Sequence, residues 1–243
     1  MDNRRHGTQV GLALLWVLLA GCGEGVGIQG NGTWTEETRE PGAFLALAVE
    51  DDIEAMVVVA PEQPIEVRVL GDENLVARVR TRVEDHRTLR VSFPGNWTSS
   101  HPLRVQVRVP VLQALSRSGT GAVDLSGDVT GRTFELEASG GGAVKAAGLA
   151  VDNLLLDLSG DVDACIQGTA ARFQGSLSGA TRLQARELAA RDATLTASGS
   201  AHVRMHVWGT LGVTGSGAVA VYVSGSPQVL SSNLSGGSSL TLE

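Results

Sequence analysis

The sequence predicts an all-β fold, a right-handed parallel β-helix preceded by a β-rich N-terminal segment, on three observations. A Ser-Gly pair returns about every twenty residues, at Ser118, Ser139, Ser159, Ser178, Ser198, Ser216 and Ser235, and such a period means a solenoid. Counting from each serine, apolar residues fall into columns: Val123, Val144, Ala164, Leu183, Val203, Val221 and Leu240 five places on, then Leu125, Ala146, Ile166, Ala185, Met205, Val223 and Leu242 two further. Before the Ser-Gly, apolar residues again take every second place, as in Phe134, Leu136 and Ala138 or Leu154, Leu156 and Leu158. Period two on both sides of a glycine is two short strands joined by a sharp corner.

The first residues set an address. Arg4 and Arg5 precede an apolar run from Val10 to Ala20, and the run closes in Leu19-Ala20-Gly21-Cys22. That is too short to span a bilayer and has the layout of a secretory signal, residues 1–21, ending in a lipobox. Small side chains at Ala20 and Gly21 fit a peptidase cleft, and the Cys22 thiol is the group that takes a diacylglyceryl chain. Lipidation at Cys22 is therefore expected, with the membrane as a partner through that anchor. Residues 22–33 are Gly-rich and weakly patterned, which reads as a flexible tether.

The body, residues 34–243, divides in two. Between 44 and 110 alternating stretches run from Phe44 to Val49, Ile53 to Val59, Ile65 to Leu70, Val76 to Val83, Leu89 to Phe93 and Leu103 to Val109. Turn formers bound them, among them Asp51-Asp52, Gly71-Asp72-Glu73-Asn74 and Pro94-Gly95-Asn96. In Leu103-Arg104-Val105-Gln106-Val107-Arg108-Val109 the arginines take the outward alternates, so one face is dry and the other solvated. The regular coils occupy 112–243. A weaker corner at Gly127, Gly148, Gly168 and Gly225 gives a third, short side and a roughly triangular section. Crossovers between parallel strands of one sheet favour the right-handed winding. The chain stops inside a further coil, at Leu240-Thr241-Leu242-Glu243, and leaves an edge through which copies could join.

Charge and cysteines exclude some partners. Loss of residues 1–21 takes Arg4, Arg5 and Asp2 from totals of 19 basic and 26 acidic residues, so the net charge moves from −7 to −8. Nucleic acid is a poor partner for such a chain. With Cys22 lipidated, Cys165 is left without a disulfide partner.

No catalytic, cofactor or metal constellation stands out. None of the column serines lies in Gly-x-Ser-x-Gly, and a nucleophile needs one base-paired hydroxyl rather than seven repeats. His202 and His206 are four apart, which on a strand separates them by about 13 Å, beyond one ion. Cys165 falls in an outward column, too far from His202 for a dyad. The outward face holding Asp124, Lys145, Asp163, Arg182, His202, Arg204 and Tyr222 is the candidate binding surface, a flat polar strip suited to glycan or protein. Its acids are interleaved with bases, whereas polysaccharide-cleaving enzymes need clustered carboxylates.

The sequence resembles the head-GIN domain family, auto-transporter adhesins otherwise of unknown function. The resemblance rests on Gly30-Asn31-Gly32, the run Ile65 to Leu75, Leu103 to Pro110 with Leu112, and the Ser-Gly-x-Gly-x-Val form at Ser118 to Val123. It implies a β-helical bacterial envelope protein, often lipid-anchored, with no catalytic residues to carry over. The chain departs from the pattern at Ser159 to Asp163 and Ser178 to Arg182, where the second glycine is missing. The function expected is a non-enzymatic envelope lipoprotein, an adhesion-type module at the outer membrane or periplasmic face. The alternatives are a polysaccharide-acting β-helix enzyme and an end-to-end assembling scaffold.

Overall fold

The computed structural model describes residues 27–84 and 87–243; the expected signal, Cys22 and the start of the tether up to residue 26 lie outside them. The chain is nearly all β, 72% strand and 2% helix, wound into a solenoid of about six regular turns. In the N-terminal part the elements are β1 (Ile28–Gln29), β2 (Trp34–Arg39), β3 (Ala46–Val49), β4 (Glu54–Val59), β5 (Glu66–Asp72), α1 (Glu73–Val76), β6 (Arg80–Glu84), β7 (Thr88–Ser92), β8 (Trp97–Thr98) and β9 (Arg104–Val109). The coils follow in β10 (Ala114–Gly119), β11 (Val123–Gly127), β12 (Val129–Gly179), β13 (Arg182–Gly199), β14 (His202–Val207), β15 (Thr210–Gly217), β16 (Ala220–Ser224), β17 (Gln228–Gly236) and β18 (Ser239–Leu242).

The corner glycines explain the period. Gly160 has φ +100, a conformation L side chains rarely adopt, and a Cβ there would lie 2.2 Å from the carbonyl oxygen of Gly140 one rung back. Successive corners therefore nest backbone to backbone, which fixes like upon like: Ser178 stacks on Ser198, Ser198 on Ser216 and Ser216 on Ser235. With the corners in register the inward columns meet as well. Val144, Ala164, Leu183, Val203 and Val221 on one face, and Leu136, Leu156, Leu195 and Val213 on the other, are buried in one continuous core.

Beneath the first Ser-Gly coil lie two more parallel rungs, and they are not in chain order. β3 and β4 stack directly under β10 and β11, while β7 and β9 stack under β3 and β4. The chain thus lays down the inner rung first, moves outward to build the rung below it, and then passes over both to start the regular coils. Asp51, at φ 62, takes the corner place of the inner rung, and a Cβ on Gly119 would meet its carbonyl oxygen.

The outward move also closes the tube. β5 pairs antiparallel to β9 and β2 to β5 on one face, and β6 pairs antiparallel to β7 on the other. Between them α1 drops Leu75 and Val76, both fully buried, into the core. The stretch from Val76 to Val83, expected to be one strand, therefore begins as helix and turn, and only Arg80–Glu84 pairs. The physical reason is the end of the tube: a strand here would leave the core uncovered, and one helical turn carries two apolar side chains inward. The described part of the expected tether is also held in place. Ile28 and Gln29 pair with Trp97 and Thr98, and Asn74 Nδ2 donates to Gln29 O at 2.8 Å.

Candidate functional site

The strip read from the sequence forms one outward face of the solenoid, in two columns. Asp163, Arg182 and His202 stand opposite one another on successive rungs. Two residues along the strands, Gln184 faces Arg204 and Arg204 faces Tyr222, with Asp124 opposite Lys145 further down the same face. Parallel in-register pairing puts side chains about 4.8 Å apart, close enough for neighbours to interact.

They do so in pairs. Arg182 Nη1 donates to Asp163 Oδ1 at 2.7 Å, with both side chains about 60% exposed (59% and 61%), so solvent screens this bridge and it adds little to stability. The His202 and Tyr222 rings lie 5.3 Å apart, and the Arg204 guanidinium lies 5.8 Å from the Tyr222 centroid. Tyr222 is thereby held between an imidazole and a cation, a small platform of the kind that stacks on sugar rings or guanidinium groups. At the other end of the strip Asp124 and Lys145 line a shallow cavity of about 270 Å³ with Glu54, Met56 and Arg104. His206 turns to Ser224, with Nδ1 3.2 Å from the hydroxyl, so the two histidines of β14 have different partners. Cys165 is partly exposed and stands opposite Gln184.

Two features were not read from the sequence. The first lies on the face before the Ser-Gly corner, where a cavity of about 400 Å³ gathers Glu50, Arg90, Ser116, Glu137 and Asp157 around Arg117. Arg117 is 3% exposed and sits in the inward column between Val49 and Ala138. Its Nη1 donates to the carbonyls of Gly119 and Gly141, while Nε and Nη2 have no partner. Burial pushes its pKa below the ordinary arginine value. The signal was available: counting back from Ser118 places an arginine where other coils have Ala138, Leu158, Leu177 and Ala197.

The second is Asp72, 1% exposed at the end of β5. Ser99 Oγ donates to its Oδ2 at 2.6 Å, and His101 Nδ1 lies 2.7 Å from its Oδ1. The Ser99 and His101 hydrogen bonds, with the Gly32 backbone, hold its carboxyl below the usual aspartate range. Serine, aspartate and histidine meet here, but both partners address the carboxylate. The imidazole is not placed between carboxylate and hydroxyl, so it has no path to the serine proton and the group is no nucleophile. Its work is structural. No sequence signal could have joined these residues, since Ser99 and His101 lie in a loop 27 and 29 positions from Asp72.

A stacked parallel solenoid with a flat, paired polar strip and a partly exposed aromatic platform defines a β-solenoid domain. The chain belongs to the family described as "Putative auto-transporter adhesin, head GIN domain", which matches residues 43–227. Solved structures share the fold. A "putative adhesin" from Bacteroides fragilis aligns with TM-score 0.79 at 20% identity, over 89% of this chain and 99% of its own. A "putative adhesin" from Parabacteroides distasonis aligns with TM-score 0.71 at 19% identity, over 90% and 100%. A "putative lipid binding protein" from the same species gives TM-score 0.67 at 17% identity, over 89% and 99%. No curated protein matches the sequence.

Proposed function

We propose that the protein is a non-enzymatic, adhesion-type module of the bacterial cell envelope, tethered through a lipid on Cys22 and presenting its outward strip to a glycan or protein surface. Family membership and the adhesin names of its structural relatives support the class. The observation that carries the binding face is the Tyr222 platform between His202 and Arg204, next to the exposed Asp163–Arg182 pair, on a rigid sheet. Aromatic and arginine side chains are the residues that anchor contacts, and a flat sheet holds them without loss of backbone freedom on binding. The strip's acids lie among bases, an arrangement for recognition rather than for acid–base chemistry.

Two experiments test this reading. Retention on a panel of immobilised envelope polysaccharides and envelope proteins is expected for the parent and lost in Arg204→Ala/Tyr222→Ala; equal retention by both rejects the face. Globomycin treatment is expected to leave an unprocessed precursor, and normal maturation in its presence rejects the anchor.

A further inference from the structure

The two ends of the tube are finished differently. At the end built from β2 and β6 the chain reverses direction through β5 and β6, and the outermost strands carry Glu36, Glu37 and Arg39, and Arg80, Arg82 and Glu84. Charge on an outermost strand is how proteins stop an edge from pairing. At the other end, among the described residues, β17 pairs only with β15 and β18 only with β16, which leaves one row of backbone donors and acceptors on each. Neither strand contains a charged residue, and the sequence from Val207 to Leu242 has none. Val229 and Leu230, 37% and 65% exposed, and Leu242, 51% exposed, lie on this edge. The register slips once near Leu230, but Ser231 to Gly236 runs unbroken against Gly212 to Gly217. Glu243 continues β18 by donating its N–H to Val223 O, and its carboxylate is taken up by Arg186, so the long β17 edge with its exposed leucine is left uncharged and open to pairing.

We infer that this end pairs with the same end of a second copy, tail to tail. A two-fold axis perpendicular to the solenoid lays β17 antiparallel on its counterpart, so each side chain meets residues of its own strand. Like charges would meet across such an axis, and here there are none. Head-to-tail stacking fails because the far end is lined with charge, Glu36 on β2 and Arg80 and Glu84 on β6, and β6 runs antiparallel to the coils, so no bare parallel rung is offered. Association therefore closes at two copies. Ile28 and Gln29 pair at the capped end, beside the Asp72 loop, so the two N-termini leave from opposite ends of the pair. Such a pair joins two surfaces and not two neighbours on one surface. That bridging step rests on the N-terminal tether proposed above, whereas the pairing itself does not.

Light scattering on the chain from residue 22, with Cys22→Ser, is expected to give twice the monomer mass at high micromolar concentration and one mass on dilution. Leu230→Lys/Asn233→Lys is expected to give the monomer mass throughout with unchanged β-sheet circular dichroism, while Met56→Lys, on a distant face, keeps the pair. On the parent alone, β17 amides are expected to exchange slowly at high concentration and fast on dilution. A monomer at every concentration, masses beyond two copies, pairing that survives both lysines, or β17 exchange indifferent to concentration overturns the inference. Vesicles displaying the chain by its N-terminus are expected to cluster; pairing in solution without clustering overturns the bridging geometry alone.

Discussion

The capped and open ends of this solenoid solve the same problem in opposite ways. A stack of coils leaves its first and last rungs half-paired, and each rung owes its stability to its neighbours. At the capped end the chain reverses strand direction, covers the core with Leu75 and Val76 from α1, and charges the outermost strands. At the open end the coil pattern simply continues in β17 and β18, and among the described residues no rung stacks on Leu240 and Leu242. The comparison teaches that a repeat pattern encodes growth, and that stopping growth needs residues outside the pattern.

The largest effect should come from removing the plug. Leu75→Ala, in a fully buried site, is expected to cost about 2–5 kcal/mol, read as a fall in unfolding midpoint in urea. Leu242→Ala on the separated monomer should stay within about 0.5 kcal/mol. Equal losses at the two sites would erase the distinction between the ends. Next comes the rung where the irregular and regular parts meet. Arg117 is a buried cation without a carboxylate, and its unpaired Nε and Nη2 are desolvated for no return. Arg117→Met is expected to be neutral or stabilising by up to about 4 kcal/mol, as for other buried charges replaced by apolar groups of similar size. A clear loss of stability would show that the two carbonyl contacts to Gly119 and Gly141 outweigh burial of the charge.

The glycine corners grade the same contrast within the coils. Gly160→Ala forces a side chain into positive φ and toward Gly140 O, and is expected to cost on the order of 2 kcal/mol or more. Gly236→Ala meets Gly217 O at 2.8 Å, in the outermost of the described rungs, and should cost less. Thermal unfolding of the two variants, measured on the monomer, decides the order.

What could be read from the sequence follows the same division. The coils from Ser118 onward were legible because every rung repeats its neighbour, so period, corner and inward columns reinforce one another. The outward strip was legible for the same reason, since alternation places Arg204 and Tyr222 on the face opposite Met205 and Val223. The intercalated rung of Ala46–Val49 and Glu54–Val59 was not. Its strands read as strands, but which neighbours they take is set by stacking across 40 to 70 residues, and no local pattern carries that. Glu73–Val76 was read as turn and strand because four residues are too few to show a helical period. Tyr222's contacts with His202 and Arg204 depend on side-chain direction, which columns alone leave open.

The smallest effect should be confined to the cap, and it is set by pH. The folded Asp72 carboxyl titrates below the ordinary aspartate range of about 3.9, chiefly because Ser99 and then His101 hydrogen-bond its charged form. In that interval the unfolded chain binds more protons than the folded one. The stabilisation is therefore complete above the ordinary value and is lost as pH falls through the folded value. The loss should appear first where Asp72 holds the chain, because Gly30 packs against its carboxylate and Asn31 N donates to Asn74 Oδ1 beside it. Hydrogen exchange between pH 6 and pH 3 is expected to show β1 and β2 opening before the coils, with Asp72→Asn opening them already at neutral pH and removing most of the acid step. If the open end loosens first, or if Asp72→Asn keeps the same acid profile, the latch at the cap is held by packing and not by this carboxylate.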